Sequence, residues 1–265
     1  MISMLRSQNV LKSILISSMM LISINLSGCI SDSLESEEIN LTINYEYTNG
    51  TILETYSDGE LISKNNIELD FDFSQTTSSN ELISFGIDPN DGREPIKIDA
   101  TTKSVLTIVF TEHGIYHLDA FAIDTDNLRI NQSIIVRIDY TVEWSESNTN
   151  NPKTLVIDPI PRNNGPNPYM MEVSSVVENP SIIDELGGGG QTVEFSWEIS
   201  DEANDVCQKR STKVEDGESK DWYIIHFNTR EVHELKIVYN DGQDNININQ
   251  VMSIIYHSIE SEPNA

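Results

Sequence analysis

The sequence is poor in positive charge. Its 265 residues carry 16 Lys and Arg against 43 Asp and Glu, a formal net charge of −27. Nucleic acid and anionic membrane surfaces are thereby excluded as broad partners, because phosphate binding needs clustered Lys and Arg. Cysteine is nearly absent: Cys29 and Cys207 are the two in the chain, too few for a disulfide framework. Aromatic residues make up 7% and the wider apolar set 38%, which suits a thin core of the β-sandwich kind. After residue 28 no apolar run approaches the roughly 20 residues of a spanning helix. Catalytic signatures are missing as well. There is no Gly-x-Ser-x-Gly elbow. His233-Glu234-Leu235-Lys236-Ile237 starts like a zinc-protease motif but has no second histidine. The five histidines show no ligand spacing with cysteine, and the glycines 187–190 are not followed by the Lys-Ser/Thr of a phosphate loop. A non-enzymatic protein is expected.

What is present begins with a segment unlike the remainder. In residues 1–28 the charges are Arg6 and Lys12, and an apolar, serine-rich stretch from Ser13 to Asn25 ends in Leu26-Ser27-Gly28-Cys29. A basic start, a short apolar region and small residues before a break are the pattern of an export signal. In that position Leu26-Ser27-Gly28-Cys29 resembles the lipobox of bacterial and archaeal lipoproteins. The resemblance implies a cleaved signal peptide over 1–28, lipid on the Cys29 thiol, and a membrane-anchored chain facing the exterior. Residues 29–38 then read as a lipidated, acidic tether. Without Arg6 and Lys12, 14 basic and 43 acidic side chains remain, a net of −29. Cys207 is left without a partner and reads as a half-buried structural thiol.

From Ile39 onward the texture is β. Leu41, Ile43, Tyr45 and Tyr47 alternate with polar neighbours, as do Leu69, Phe71 and Phe73. Val105–Phe110, Tyr116–Ile123 and Ile134–Val142 are rich in β-branched and aromatic residues. Asn49-Gly50 and Asp58-Gly59 are turn signals. Residues 143–168 are polar and rich in Asn and Pro, and read as a linker between a first sandwich over 39–142 and a second over 169–258, with 259–265 as a tail. Trp197 and Trp222 are expected core aromatics of the second. An internal repeat supports two units: Asp126-Asn127-Leu128-Arg129-Ile130-Asn131-Gln132 returns as Asp244-Asn245-Ile246-Asn247-Ile248-Asn249-Gln250.

Phe71-Asp72-Phe73-Ser74, Asp91-Gly92, Phe110-Thr111-Glu112-His113-Gly114-Ile115-Tyr116-His117-Leu118 and Asp124-Thr125-Asp126-Asn127 resemble the PKD-type immunoglobulin-like domain. The central Trp of that family is missing from Asp88-Pro89-Asn90-Asp91-Gly92, and Asn127 stands where glycine is common. The second unit is the more divergent copy. The resemblance implies an all-β chain of two tandem immunoglobulin-like sandwiches used for adhesion, spacing or binding outside the cell.

The leading expectation is therefore a lipid-anchored, non-catalytic surface protein whose modules bind or space a protein or glycan partner. The alternatives are a solute-binding lipoprotein of a transporter, which needs α/β lobes, or an accessory part of an exported hydrolase. No cofactor is required. Calcium is the one ion considered: Asp124, Asp126 and Asn127, with Asp241, Asp244 and Asn245, cluster oxygen ligands at two acidic turns. The plainer reading of the same residues is turn formation.

Overall fold

The structure, a computed structural model, describes residues 38–181 and 190–264. The export segment 1–28, Cys29, the tether to residue 37 and glycines 187–189 lie outside the described residues. Within them every regular element is a strand. The first part holds β1 (Ile39–Asn40), β2 (Asn49–Ser57), β3 (Glu60–Asn65), β4 (Ile67–Asp72) and β5 (Thr77–Ser78). It continues with β6 (Leu82–Asp88), β7 (Ile96–Asp99), β8 (Val105–Phe110) and β9 (Gly114–Asp124). β10 (Arg129–Thr149) is 21 residues long. The second part holds β11 (Leu155–Ile157), β12 (Met170–Glu178), β13 (Val193–Asp201) and β14 (Val206–Val214). β15 (Ser219–His226), β16 (His233–Asp241) and β17 (Ile246–Ile255) complete it.

β10 is the spine. Arg137 and Ile138 pair with both β2 and β9, and Tyr140–Ser145 with both β2 and β17. β9 and β17 therefore lie end to end along one edge of β10, while β2 runs parallel along the other. Strand residues alternate faces with period two, so one face of β10 serves two cores. Ile134, Val136 and Ile138 enter the first, Val142 and Trp144 the second, and Tyr140 packs against both. The first core closes against β4 and β8, which bring Leu69, Phe71, Leu106, Ile108 and Phe110. The second closes against the four-stranded sheet β11-β16-β13-β14, which brings Phe195, Trp197, Ile199, Leu235 and Ile237.

An all-β chain with two sandwich cores agrees with the sequence reading, but its organisation differs in four respects. A nine-stranded sheet runs through both halves, so the stretch 143–168 is not a free linker. Its first seven residues finish β10, Leu155 and Ile157 are core residues, and buried Glu146 accepts the Trp144 indole N–H at 2.9 Å and the Lys153 backbone N–H at 3.0 Å. The described part of the tail, 259–264, is also tied down. Ser261 exchanges bonds with the backbone of Ile135, Arg137 forks onto Glu260, and the Asn264 amide bonds the backbone of Ile43 and Tyr45. Asn49-Gly50 is not a turn: it sits in β2, and a Cβ on Gly50 would meet the Ile67 side chain at 2.7 Å. The repeat is not reproduced in the pairing either. β9 and β10 form a hairpin, whereas β16 and β17, which the repeat would match to them, lie in separate sheets.

Other local readings hold. Asp58 and Gly59 have φ of 50° and 80° and join β2 to β3 through a two-residue loop, the positive-φ pair that such a hairpin requires. Trp197 and Trp222 are buried.

Candidate functional site

β15 is an edge strand bonded to β12 alone. Its inward side chains, Trp222 and His226, are buried, while Tyr223 and Ile225 on the other face are 57% and 38% exposed. Phe227, one residue beyond the strand, is 64% exposed. Tyr169, just before β12, is 45% exposed, and its ring centroid lies 5.9 Å from Phe227 and 4.1 Å from His257. The backbone holds these rings in place. Tyr169 N–H donates to the Ile255 carbonyl at 2.8 Å, and the buried Thr229 hydroxyl donates to the Pro168 carbonyl at 2.7 Å. Three strand ends thus present Tyr169, Phe227 and His257 together, with Tyr223 and Ile225 extending the patch along β15.

Polar groups border the rings. Ile225 lies opposite Glu172 in the ladder, and Asn228 donates to the Glu231 carboxylate. Partial desolvation, with the hydrogen bond and charge of Glu172, holds the Tyr223 hydroxyl above its ordinary pKa. Exposed ring faces beside carboxylates and amides are suited to CH-bearing faces of a ligand that also carries hydroxyls.

A second concavity, about 230 Å³, lies where the two cores meet and is lined by Glu54, Lys64, Glu112, His113, Asp158 and Arg162 among others. Its groups are engaged with one another. Glu54 accepts from the Tyr140 hydroxyl at 2.6 Å and the Tyr56 hydroxyl at 2.9 Å, and pairs with Lys64 at 3.0 Å. Burial pushes the Glu54 carboxyl up, but those three donors outweigh it and the net shift is downward. His113 bonds the Tyr256 hydroxyl at 2.8 Å and the Asp158 carbonyl at 3.3 Å, and burial lowers its pKa. These bonds tie the two halves together at the junction.

Of the calcium candidates, Asp124 and Asp126 converge on the side-chain amide of Asn80, at 3.4 and 3.0 Å. Asp124 is fully buried, and its Oδ1 accepts the backbone N–H groups of Asp126 and Leu128 at 3.0 and 2.9 Å. Asn127 takes a φ of 62° in the same loop. The conformational match in the second half is not Asp241–Asn245 but Asp201–Asp205. There Asp201 Oδ1 accepts from Ala203 and Asp205, both at 2.9 Å, and Asn204 has a φ of 63°. Asp244 is buried and accepts the Gln191 N–H, while Asn245 donates to Asn148 at 3.1 Å. Among the described residues no three His, Cys, Asp or Glu side chains form a metal-sized group. Asp124 and Asp201 each close a loop by accepting two backbone N–H groups. Cys207 is exposed rather than half-buried.

Sequence reasoning passed over the aromatic patch, whose members are scattered from Tyr169 to His257. One signal was available. Trp222, Tyr223, Ile224, Ile225 and Phe227 are apolar at both parities, and on an edge strand one of those two faces must meet solvent.

The molecule is thus an all-β protein with two sandwich cores on a shared sheet and an exposed aromatic edge. No family model matches the sequence, and no curated protein matches it. Among solved structures, carbohydrate-binding modules from the β-sandwich superfamily align over 81% of this chain and 97% of theirs, at 8% identity and a TM-score of 0.31. Tripeptidyl peptidase 2 aligns over 86% of this chain and 21% of its own, at 12% identity and a TM-score of 0.23. CBM51-2 with GlcNAc and INT domains from Clostridium perfringens ZmpB align over 83% and 49%, at 12% identity and a TM-score of 0.24. Likenesses this distant carry no argument about this chain.

Proposed function

We propose that the protein is an exported, lipid-anchored, non-catalytic module that binds a neutral glycan at the aromatic edge of its second sandwich. The exposed cluster Tyr169, Phe227 and His257, continued by Tyr223, carries the reading. Ring faces fixed by strand ends need little ordering on binding, and Glu172, Asn228 and Glu231 border them with hydroxyl-pairing groups. The net charge of −27 disfavours anionic polysaccharides. The first sandwich, which we read as PKD-like from Phe71-Asp72-Phe73-Ser74 and Phe110–Leu118, shares the spine β10 with the second, and lipid on Cys29 anchors the chain.

Affinity gel electrophoresis of the full chain in neutral polysaccharides tests the binding. Retardation should weaken about tenfold, or ~1.4 kcal/mol, in Phe227→Ala combined with Tyr223→Ala. Stability should stay within about 0.5 kcal/mol because both side chains are exposed. Equal retardation of the variant, or none for the wild type across neutral glycans, would remove the glycan assignment. Labelling with a lipid precursor should mark the wild type but not Cys29→Ala.

A further inference from the structure

Directly beneath the aromatic edge, two histidines meet in the interior. His226 ends β15 in the larger sheet and is 8% exposed; His233 begins β16 in the smaller sheet and is fully buried. Their ring centroids are 4.6 Å apart at 76°. Each ring has one engaged nitrogen and one unpartnered nitrogen. His226 Nε2 and His233 Nδ1 are buried and bond nothing among the described residues. Buried polar atoms are nearly always satisfied, so two such atoms on adjacent rings need a common explanation.

The engaged nitrogens indicate what it is. His233 Nε2 lies 2.9 Å from the Asn228 carbonyl. A carbonyl only accepts, so Nε2 carries the proton and Nδ1 is a bare lone pair. An imidazole donating its far N–H to a backbone carbonyl is the usual support of a metal-ligating histidine. His226 Nδ1 faces the side-chain amide of Gln208 at 3.3 Å. A half-turn of that amide sets its oxygen against Nδ1, which then donates, and leaves Nε2 as the second bare lone pair.

We propose that His226 Nε2 and His233 Nδ1 form a two-imidazole site for a late first-row divalent cation of the zinc class. No third His, Cys, Asp or Glu among the described residues completes a group of three, so these two imidazoles are the protein's ligands. Imidazole ligands select zinc, copper or nickel over calcium and magnesium, which prefer oxygen. The ion would tie β15 to β16 and brace the connection that carries Phe227.

Zinc titration of the full chain by calorimetry at neutral pH tests the assignment. Saturable binding of one equivalent is expected, undiminished by millimolar calcium. It should fall at least tenfold in both His226→Gln and His233→Gln and persist in Cys29→Ser, Cys207→Ser and His257→Gln. Should the histidine variants fold poorly, nitrogen NMR of the wild type decides: zinc should move the signals of His226 Nε2 and His233 Nδ1 and leave those of His113. Absence of binding, binding unchanged in both histidine variants, binding lost in His257→Gln, or unmoved imidazole nitrogens would each overturn the proposal.

Discussion

The two sandwiches share a strand and differ in how they treat buried polarity. In the first, Thr48, Glu54, Thr76, His113 and Asp124 are buried and every one is bonded. In the second, Trp197 finds a partner, its indole N–H donating to Ser175 at 2.8 Å. Yet Asn179 Oδ1, Ser200 Oγ, His226 Nε2, His233 Nδ1 and Gln250 Oε1 have none among the described residues. Each such atom costs on the order of 1–3 kcal/mol. Polarity in the first half therefore closes the fold, through Asx loops, the tail and the junction. The unpartnered polar atoms of the second gather in the sandwich that also exposes the aromatic edge. The contrast separates a half whose buried polar side chains are all bonded from one in which five buried polar atoms lack a partner among the described residues.

The largest expected effect asks whether the halves are separable at all. Phe110→Ala in the first core and Trp197→Ala in the second each remove a fully buried ring. Each should cost about 3–5 kcal/mol. Because one face of β10 enters both cores, calorimetry of either variant should show a single transition displaced as a whole. Two transitions, each moved by its own variant alone, would break the picture of a shared spine and restore two independent domains.

Next in size are the two Asp-headed loops, which adopt the same conformation in different surroundings. Asp124 is fully buried and bonded twice by backbone N–H groups, while Asp201 is partly exposed with the same two bonds. Asp124→Ala should cost about 1–3 kcal/mol, since it strands buried donors. Asp201→Ala should cost less, because water reaches the donors it leaves. Denaturant unfolding with and without millimolar calcium checks both points. A calcium-dependent cost at Asp124 would return the acidic turn to the list of ion sites.

Much of this was legible locally. Alternation in Tyr116–Ala122 and around Phe71 located buried faces, because a strand between a core and solvent must alternate. Asp58-Gly59 made its hairpin, and Trp197 and Trp222 went inward. The failures share a cause: the deciding neighbour is distant in the chain. Asn49-Gly50 has turn chemistry, but a parallel partner 88 residues on, Arg137 to Ile138, takes it into a sheet. The stretch 143–149 is polar because its outward positions face solvent, while Trp144 and Glu146 turn in. The repeat matched residues whose strands pair differently. Nothing local marks His226 and His233 as neighbours; the connection between two sheets does that.

A smaller effect sharpens the role of the tail. The Asn264 side chain accepts the Tyr45 N–H at 3.0 Å and donates to the Ile43 carbonyl at 2.9 Å, replacing a missing strand neighbour for the first sandwich. Asn264→Ala should cost about 1–2 kcal/mol and speed hydrogen exchange at Tyr45. Exchange at Trp197, in the other half, should not change. If both rise together, the tail stabilises the whole body and is no specific closure of the first half.

The smallest effect lies at the junction where the halves meet, and it is read through pH. His113 is held below its ordinary 6.5 by burial. The unfolded chain therefore binds a proton before the folded one does, and stability falls as pH drops below about 6.5 toward the lowered folded value. Glu54 is net lowered from 4.5: burial raises it, but Tyr140, Lys64 and Tyr56 stabilise the charged form more strongly. Its contribution is whole above 4.5 and is lost as pH falls through the folded value. Both groups therefore weaken the fold on acidification, in successive windows. Melting temperatures measured from pH 7 to pH 3 should fall in two stages. His113→Gln should flatten the upper stage and leave the lower, and Glu54→Gln the reverse. Solvent reaches part of the cleft and screens these charges, so each change should be smaller than any substitution effect above. An upper stage that survives in His113→Gln would move the mildly acidic sensitivity away from the junction and into the second sandwich.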